Sequence, residues 1–132
     1  MLHIELRKWA DLLVVAPLSA NTLSSIAVGR CDGLLLSVLR AWDWGERGGG
    51  GVVVAPAMNT LMWTHPVTGG QVETLRGWGV EVLMPVKKVL ACGDDGVGGM
   101  VGVEVVVEAI GRRLGILSVE GEGEGKIEAV EG

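Results

Sequence analysis

Val52-Val53-Val54-Ala55-Pro56-Ala57-Met58-Asn59-Thr60-Leu61-Met62-Trp63 is an apolar run that ends in proline and then presents a single amide side chain. A short run of this kind, without polar alternation, reads as a strand covered on both faces. In open α/β sheets, ligands sit in the crevice beyond the carboxyl ends of the strands. Asn59 falls at that edge, where its amide can both donate and accept hydrogen bonds. Two other segments repeat the arrangement. Leu12-Leu13-Val14-Val15-Ala16-Pro17 runs into Ser19-Ala20-Asn21-Thr22, and Val80-Glu81-Val82-Leu83-Met84-Pro85 runs on to Leu90-Ala91-Cys92-Gly93-Asp94.

Between these strands the apolar spacing becomes helical. Leu23, Ile26 and Ala27 share one face, with Gly29 as a stop; Asp32 is placed to cap a helix carrying Leu34, Leu35, Val38 and Leu39. Pro66 opens a helix that ends near Gly79, with Val72, Leu75 and Trp78 on one side. Residues 1–10 read as a helix end or loop, 44–51 as a glycine-rich loop and 86–100 as a long loop with functional potential. Residues 103–117 have helical potential, although Val105-Val106-Val107 also fits a strand. Alternating strands and helices imply a three-layer, doubly wound parallel α/β sheet. Residues 118–132 are acidic and glycine-rich and read as a disordered tail behind a single domain of residues 1–117.

Composition narrows the function classes. The chain has 132 residues, 48% of them hydrophobic, with a net charge of −5. One domain with a sizeable core is expected at this length. The acidic balance, with only the short pairs Lys87-Lys88 and Arg112-Arg113, argues against nucleic acid as partner. No apolar run reaches the ~20 residues of a membrane helix, and the N-terminus has no signal-peptide pattern. Cys31 and Cys92 are expected as reduced thiols in the cytoplasm. With only two histidines, they do not form a zinc-ligand pattern. Gly48-Gly49-Gly50-Gly51 precedes a strand and lacks a Lys-Ser/Thr ending, so it is a connection and not a phosphate loop.

The candidate site residues each admit a plainer reading. Ser19-Ala20-Asn21-Thr22 combines small residues with the first N–H groups of a helix, which favour an anion or a polar ring edge; it fits a simple helix N-cap equally. Asn59 is a ligand-binding amide or another turn residue. Met62 before Trp63 suits core packing as well as a pocket wall. His3 near the chain start fits a solvated surface residue, and His65 reads as a loop residue. Cys92 fits a small buried hydrophobe, although Gly93, Asp94 and Asp95 surround it with loop chemistry.

Taken together these residues resemble the flavin-dependent cysteine decarboxylases, most closely the branch serving coenzyme A synthesis. The matching elements are His3-Ile4-Glu5-Leu6 with Trp9-Ala10-Asp11, Ala16-Pro17-Leu18-Ser19-Ala20-Asn21-Thr22-Leu23, Cys31-Asp32, Arg40-Ala41-Trp42-Asp43, residues 56–63, and Leu90-Ala91-Cys92-Gly93-Asp94 with Gly96, Gly98 and Met100. They cover roughly residues 2–100 in the family's order. Arg30, Gly33, Gly99 and Val101 depart from its usual pattern.

The resemblance implies a flavodoxin-like fold and FMN as cofactor. It implies decarboxylation of 4′-phosphopantothenoylcysteine to 4′-phosphopantetheine, with oxidation and re-reduction at the substrate's sulfur and carbon supplied by the cofactor. By the same resemblance, Ser19, Ala20, Asn21, Thr22 and Ala57 contact FMN. Asn59 clamps the substrate carboxylate, Met62 and Ala91 line the pocket, His3 is the base and Cys92 the acid. A thiol with an ordinary pKa near 8.5 stays protonated at neutral pH, as an acid must. Family members form trimers with sites between subunits and carry a further N-terminal segment with a phosphate-binding turn; the chain is therefore expected to be an N-terminally truncated member. The rival expectation is a non-enzymatic regulatory subunit, since some relatives inhibit protein phosphatases through acidic tails, or an inactive fragment.

Overall fold

A computed structural model of the chain describes residues 1–47, 51–89, 95–115 and 127–130. The elements are α1 (Leu2–Trp9), β1 (Leu12–Leu18), α2 (Ala20–Ala27), α3 (Gly33–Arg40), α4 (Trp44–Arg47), β2 (Val52–Pro56), α5 (Thr60–Trp63), α6 (Pro66–Gly77), β3 (Glu81–Val82), β4 (Val86–Val89), β5 (Asp95–Gly99), α7 (Val103–Arg113) and β6 (Ile127–Val130). Strands β3-β2-β1-β6 form a sheet in that order, and every pair in it is parallel. β4 and β5 make a separate antiparallel ribbon.

The two apolar strands owe their unbroken hydrophobicity to burial on both sides. Successive strand residues point to opposite faces. Leu13 and Val15 of β1, with Val52 and Val54 of β2, join the core under α1, α2, α3 and α6. Leu12, Val14, Val53 and Ala55 join a second core under Val106 and Ala109 of α7. Helices therefore cover both faces, as the doubly wound reading requires. Fully burying a Leu or Val side chain contributes roughly 1.5–3 kcal/mol, and these eight strand residues are all at most 2% exposed. The two central strands are thus packed on both faces, and this packing fixes where the β1 and β2 carboxyl ends lie.

The helix boundaries follow the signals in the sequence. Gly29 takes φ +79° just beyond α2, and Pro66 sits in the first turn of α6. Asp32 stands at the N-cap position of α3 but makes no cap bond with its side chain. Its carboxylate pairs instead with Arg30 at 2.6 Å. His65, read as a loop residue, is the N-cap of α6, its Nδ1 accepting from the Val67 N–H at 3.1 Å.

Several segments differ from the sequence reading. Residues 80–84 supply only a two-residue strand, because pairing with β2 stops at Val54–Val82. The glycine-rich segment 44–51 contains α4, anchored by the Trp44 indole N–H on the Leu39 carbonyl at 3.0 Å. The long loop 86–100 contains the β4–β5 ribbon. Residues 127–130, expected within a disordered tail, form β6, whose backbone pairs with residues 12–15 of β1. An open strand edge presents unpaired N–H and C=O groups, and the Ile127–Val130 segment pairs with that edge although an acidic, glycine-rich sequence precedes it.

Candidate active site

The two candidate turns meet because β1 and β2 are adjacent and parallel. Leu18 pairs with Pro56 in register, and the Ala57 N–H donates to the Leu18 carbonyl at 2.9 Å. The segments leaving these strands, Ser19–Thr22 and Ala57–Asn59, therefore emerge side by side at the carboxyl edge of the sheet. This is the edge at which such folds bind ligands.

Ser19 caps α2. Its Oγ accepts from the Thr22 N–H at 3.1 Å and donates to the Thr22 Oγ1 at 3.0 Å. The plain cap reading of Ser19 is thus correct, and it holds the turn in a fixed shape. Asn21 is exposed at the start of the helix, and Ala20, Thr22 and Ala57 are half-buried. A cleft of about 440 Å³ touches Asn21, Thr22 and Ser25 and extends to Arg30 and Asp32.

Asn59 caps α5, its Oδ1 accepting from the Leu61 N–H at 3.0 Å. Oδ1 is thereby committed. The side chain is exposed, and its amide N–H₂ has no partner among the described residues, leaving two donors for an acceptor such as a carboxylate. Leu61 and Met62 are 79% and 50% exposed beside it, so Met62 is not a core residue of this chain.

His3 lies half-buried in the first turn of α1, with no hydrogen bond to Asn59, Ser19 or Thr22. α1 packs on α3 and ends two residues before β1. His3 is therefore about 10 Å along the helix from that junction, given the 1.5 Å rise per residue. Ala91 and Cys92 lie outside the described residues. The ribbon that leads into and out of them packs on the Asn59 turn, the Met58 N–H donating to the Gly98 carbonyl at 2.8 Å.

A larger cavity, about 890 Å³, lies elsewhere. It lies at the C-terminal ends of α2, α3 and α6 beside the start of α4, is lined by Arg40, Trp44, Arg76 and Trp78, and includes none of the expected site residues. Its guanidinium groups are engaged: Arg30 with Asp32, Arg76 with Glu73 and Arg40 with the Gly29 carbonyl. Size alone does not make it the site. Among the described residues there is no cluster of three or more metal-ligating side chains, and no helix is long and apolar enough to cross a membrane.

The sheet order, the paired strand-end turns and the helices on both faces define a flavoprotein-type α/β domain. The chain belongs to the Flavoprotein family, whose pattern it matches over residues 1–115. It is 52% identical over 106 residues to a phosphopantothenoylcysteine decarboxylase of Oryza sativa subsp. japonica, covering 80% of this chain and 46% of that one. Among solved structures, it is similar to a cysteine-to-serine variant of a phosphopantothenoylcysteine decarboxylase complexed with pantothenoylaminoethenethiol. That match has a TM-score of 0.77 and 49% identity, and covers 83% of this chain and 58% of that one. It is likewise similar to the FMN-binding protein AtHal3, with a TM-score of 0.75, 48% identity and coverage of 92% and 62%. The chain spans about half the length of the curated relatives it matches.

Proposed function

We propose that this chain, through residues 1–117, carries the substrate-facing part of an FMN-dependent decarboxylase that converts 4′-phosphopantothenoylcysteine to 4′-phosphopantetheine. The observation that carries this reading is Asn59. Its oxygen is spent on the α5 cap and its amide donors have no partner among the described residues, at the strand edge beside the Ser19–Thr22 turn. The relatives named phosphopantothenoylcysteine decarboxylase support the substrate, and the likeness to an FMN-binding protein supports the cofactor.

The residues present fit a flavin. The Ser19–Thr22 turn is rigid and built of small side chains, Asn21 is exposed, and a cleft opens beside it. Ser19, Ala20, Asn21, Thr22 and Ala57 would hold FMN, which when bound supplies the oxidising power that makes a cysteinyl carboxylate labile. Asn59 orients that carboxylate by donating to it. Met62 and Ala91 line the pocket. His3 accepts the substrate's proton and Cys92 returns one to the product carbon.

In this reading the chain assembles as a trimer in the cytoplasm, with each site shared between subunits. Support comes from the exposed Leu61 and Met62 beside Asn59, an apolar surface that a second copy would cover, and from Cys31, a free exposed thiol suited to a reducing compartment.

The test is an FMN titration followed by visible absorption and CO₂ release. It compares this chain with a fusion that adds the N-terminal portion of the mouse relative. The fusion is expected to turn yellow and to release CO₂ from 4′-phosphopantothenoylcysteine, with weak flavin binding by the chain alone. A soluble, folded fusion that stays colourless in excess FMN refutes the reading.

A further inference from the structure

The β4–β5 ribbon touches the Asn59 turn backbone to backbone, and glycine makes the contact possible. Gly98 is buried with φ +151°, a conformation that L side chains rarely adopt. A Cβ at that position would run into the Met58 carbonyl oxygen and lie 3.3 Å from the Thr60 N. The same glycine's carbonyl accepts the Met58 N–H at 2.8 Å. One residue earlier than Asn59, the turn is thus bonded to Gly98; one residue later, its backbone leaves no comfortable room for a side chain at Gly98.

The adjoining contact is less well satisfied. The Thr60 side chain closes against Gly96, where a Cβ would meet Thr60 Oγ1. That hydroxyl is buried and has no hydrogen-bond partner among the described residues. A buried hydroxyl without a partner weakens the contact that buries it. Among the described residues the ribbon is therefore held to the turn by one backbone bond and close glycine packing, against the cost of one orphaned hydroxyl.

The geometry points to Gly98 as a positioning residue: it holds the Asn59 turn against the ribbon and so sets where the Asn59 amide meets its ligand. The consequence for ligand binding rests on the carboxylate-clamp reading above; the claim about the turn does not. Gly98 would touch no substrate atom and would act only through Met58 and Asn59.

Hydrogen exchange on the full chain, with residue-resolved amides, tests this directly. Gly98→Ala is expected to speed exchange of the Met58 amide about tenfold while the interior amides of β1 and β2 keep their protection, as for a local opening. Thr60→Val replaces the orphaned hydroxyl by a methyl of similar size and is expected to slow Met58 exchange. Unchanged Met58 exchange in both variants overturns the inference. Should Gly98→Ala fail to fold, the Thr60→Val result alone decides, and unchanged or faster exchange there overturns it.

Binding measured with 4′-phosphopantothenoylcysteine and with 4′-phosphopantetheine supplies the second readout, using the FMN-loaded fusion. Gly98→Ala is expected to weaken the carboxylate-bearing ligand about tenfold and the other much less. Equal weakening of both overturns the link to Asn59. Failure of the unmutated fusion to bind either ligand defeats the substrate reading, while the exchange result still decides whether Gly98 holds the turn.

Discussion

Asn59→Asp offers the sharpest test of the clamp, because it leaves the fold almost unperturbed. The amide oxygen accepts the Leu61 N–H at 3.0 Å, and a carboxylate oxygen accepts it equally well; Asp and Asn are comparable N-caps. The change removes two donors and adds a negative charge where the substrate's carboxylate would sit. Two like charges ~4 Å apart repel by about 1 kcal/mol in water and about 4 kcal/mol at an effective dielectric of 20. Asn59 is exposed in the single chain, which favours the lower figure, and closure by a second subunit would move it toward the higher. The expected loss of affinity for 4′-phosphopantothenoylcysteine is therefore between roughly fivefold and a thousandfold, at 1.4 kcal/mol per factor of ten. Calorimetric titration of the FMN-loaded fusion should show that loss, while affinity for 4′-phosphopantetheine, which lacks the carboxylate, stays within about twofold. Asn59→Ala serves as the contrast, since it also removes the cap at a cost of about 1 kcal/mol. Equal losses for the two ligands in Asn59→Asp, with an unchanged melting midpoint, would refute the assignment of the carboxylate to Asn59.

Two further outcomes follow from the scaffold. Leu75 is 1% exposed in the core under α6, so Leu75→Ala should lower unfolding stability by about 2–5 kcal/mol in chemical denaturation; a loss below about 1 kcal/mol would mean that α6 does not seal that face. For Glu81, burial pushes the carboxyl pKa up, but hydrogen bonds from Arg113 and Arg112 outweigh it and hold the group below the ordinary value. A depressed folded-state pKa contributes stability above the unfolded value of about 4.3 and loses it as pH falls through the folded one. Wild type should therefore exceed Glu81→Gln by about 1 kcal/mol at neutral pH, with the gap closing below about pH 4; a gap that stays constant down to pH 3 would exclude the ion pair as its source.

Some elements were legible in the sequence because their signal is local. β1 and β2 are buried on both faces, and two-sided burial writes itself as an unbroken apolar run. Their proline-bearing ends also mark the carboxyl edge, which places Ser19–Thr22 and Asn59 at that edge; that the two turns lie side by side follows from the pairing of β1 with β2. The caps illustrate the limit of such reasoning. Ser19 and Asn59 cap as their residue types suggest, whereas Asp32 holds the cap position and spends its carboxylate on Arg30, a competition between neighbours that a propensity does not record.

The elements that escaped the sequence reading owe their structure to a partner. Asp95-Gly96-Val97-Gly98-Gly99 has the composition of a loop, and it is a strand because β4 pairs with it and because its glycines let it lie against Met58 and Thr60. β6 has an acidic, glycine-rich approach that reads as disorder, and it pairs because β1 presents an open edge. His3 falls between the two cases. Its helix is real and packs on α3, but among the described residues no hydrogen bond links the imidazole to the Asn59 turn. A site completed across a subunit boundary would have this signature: each half well formed on its own scaffold, with the residues proposed to act together carried on separate elements. The exposed Leu61 and Met62 beside Asn59 are what such a boundary would bury. The assembly, more than the single fold, would then determine the distance between base and carboxylate clamp.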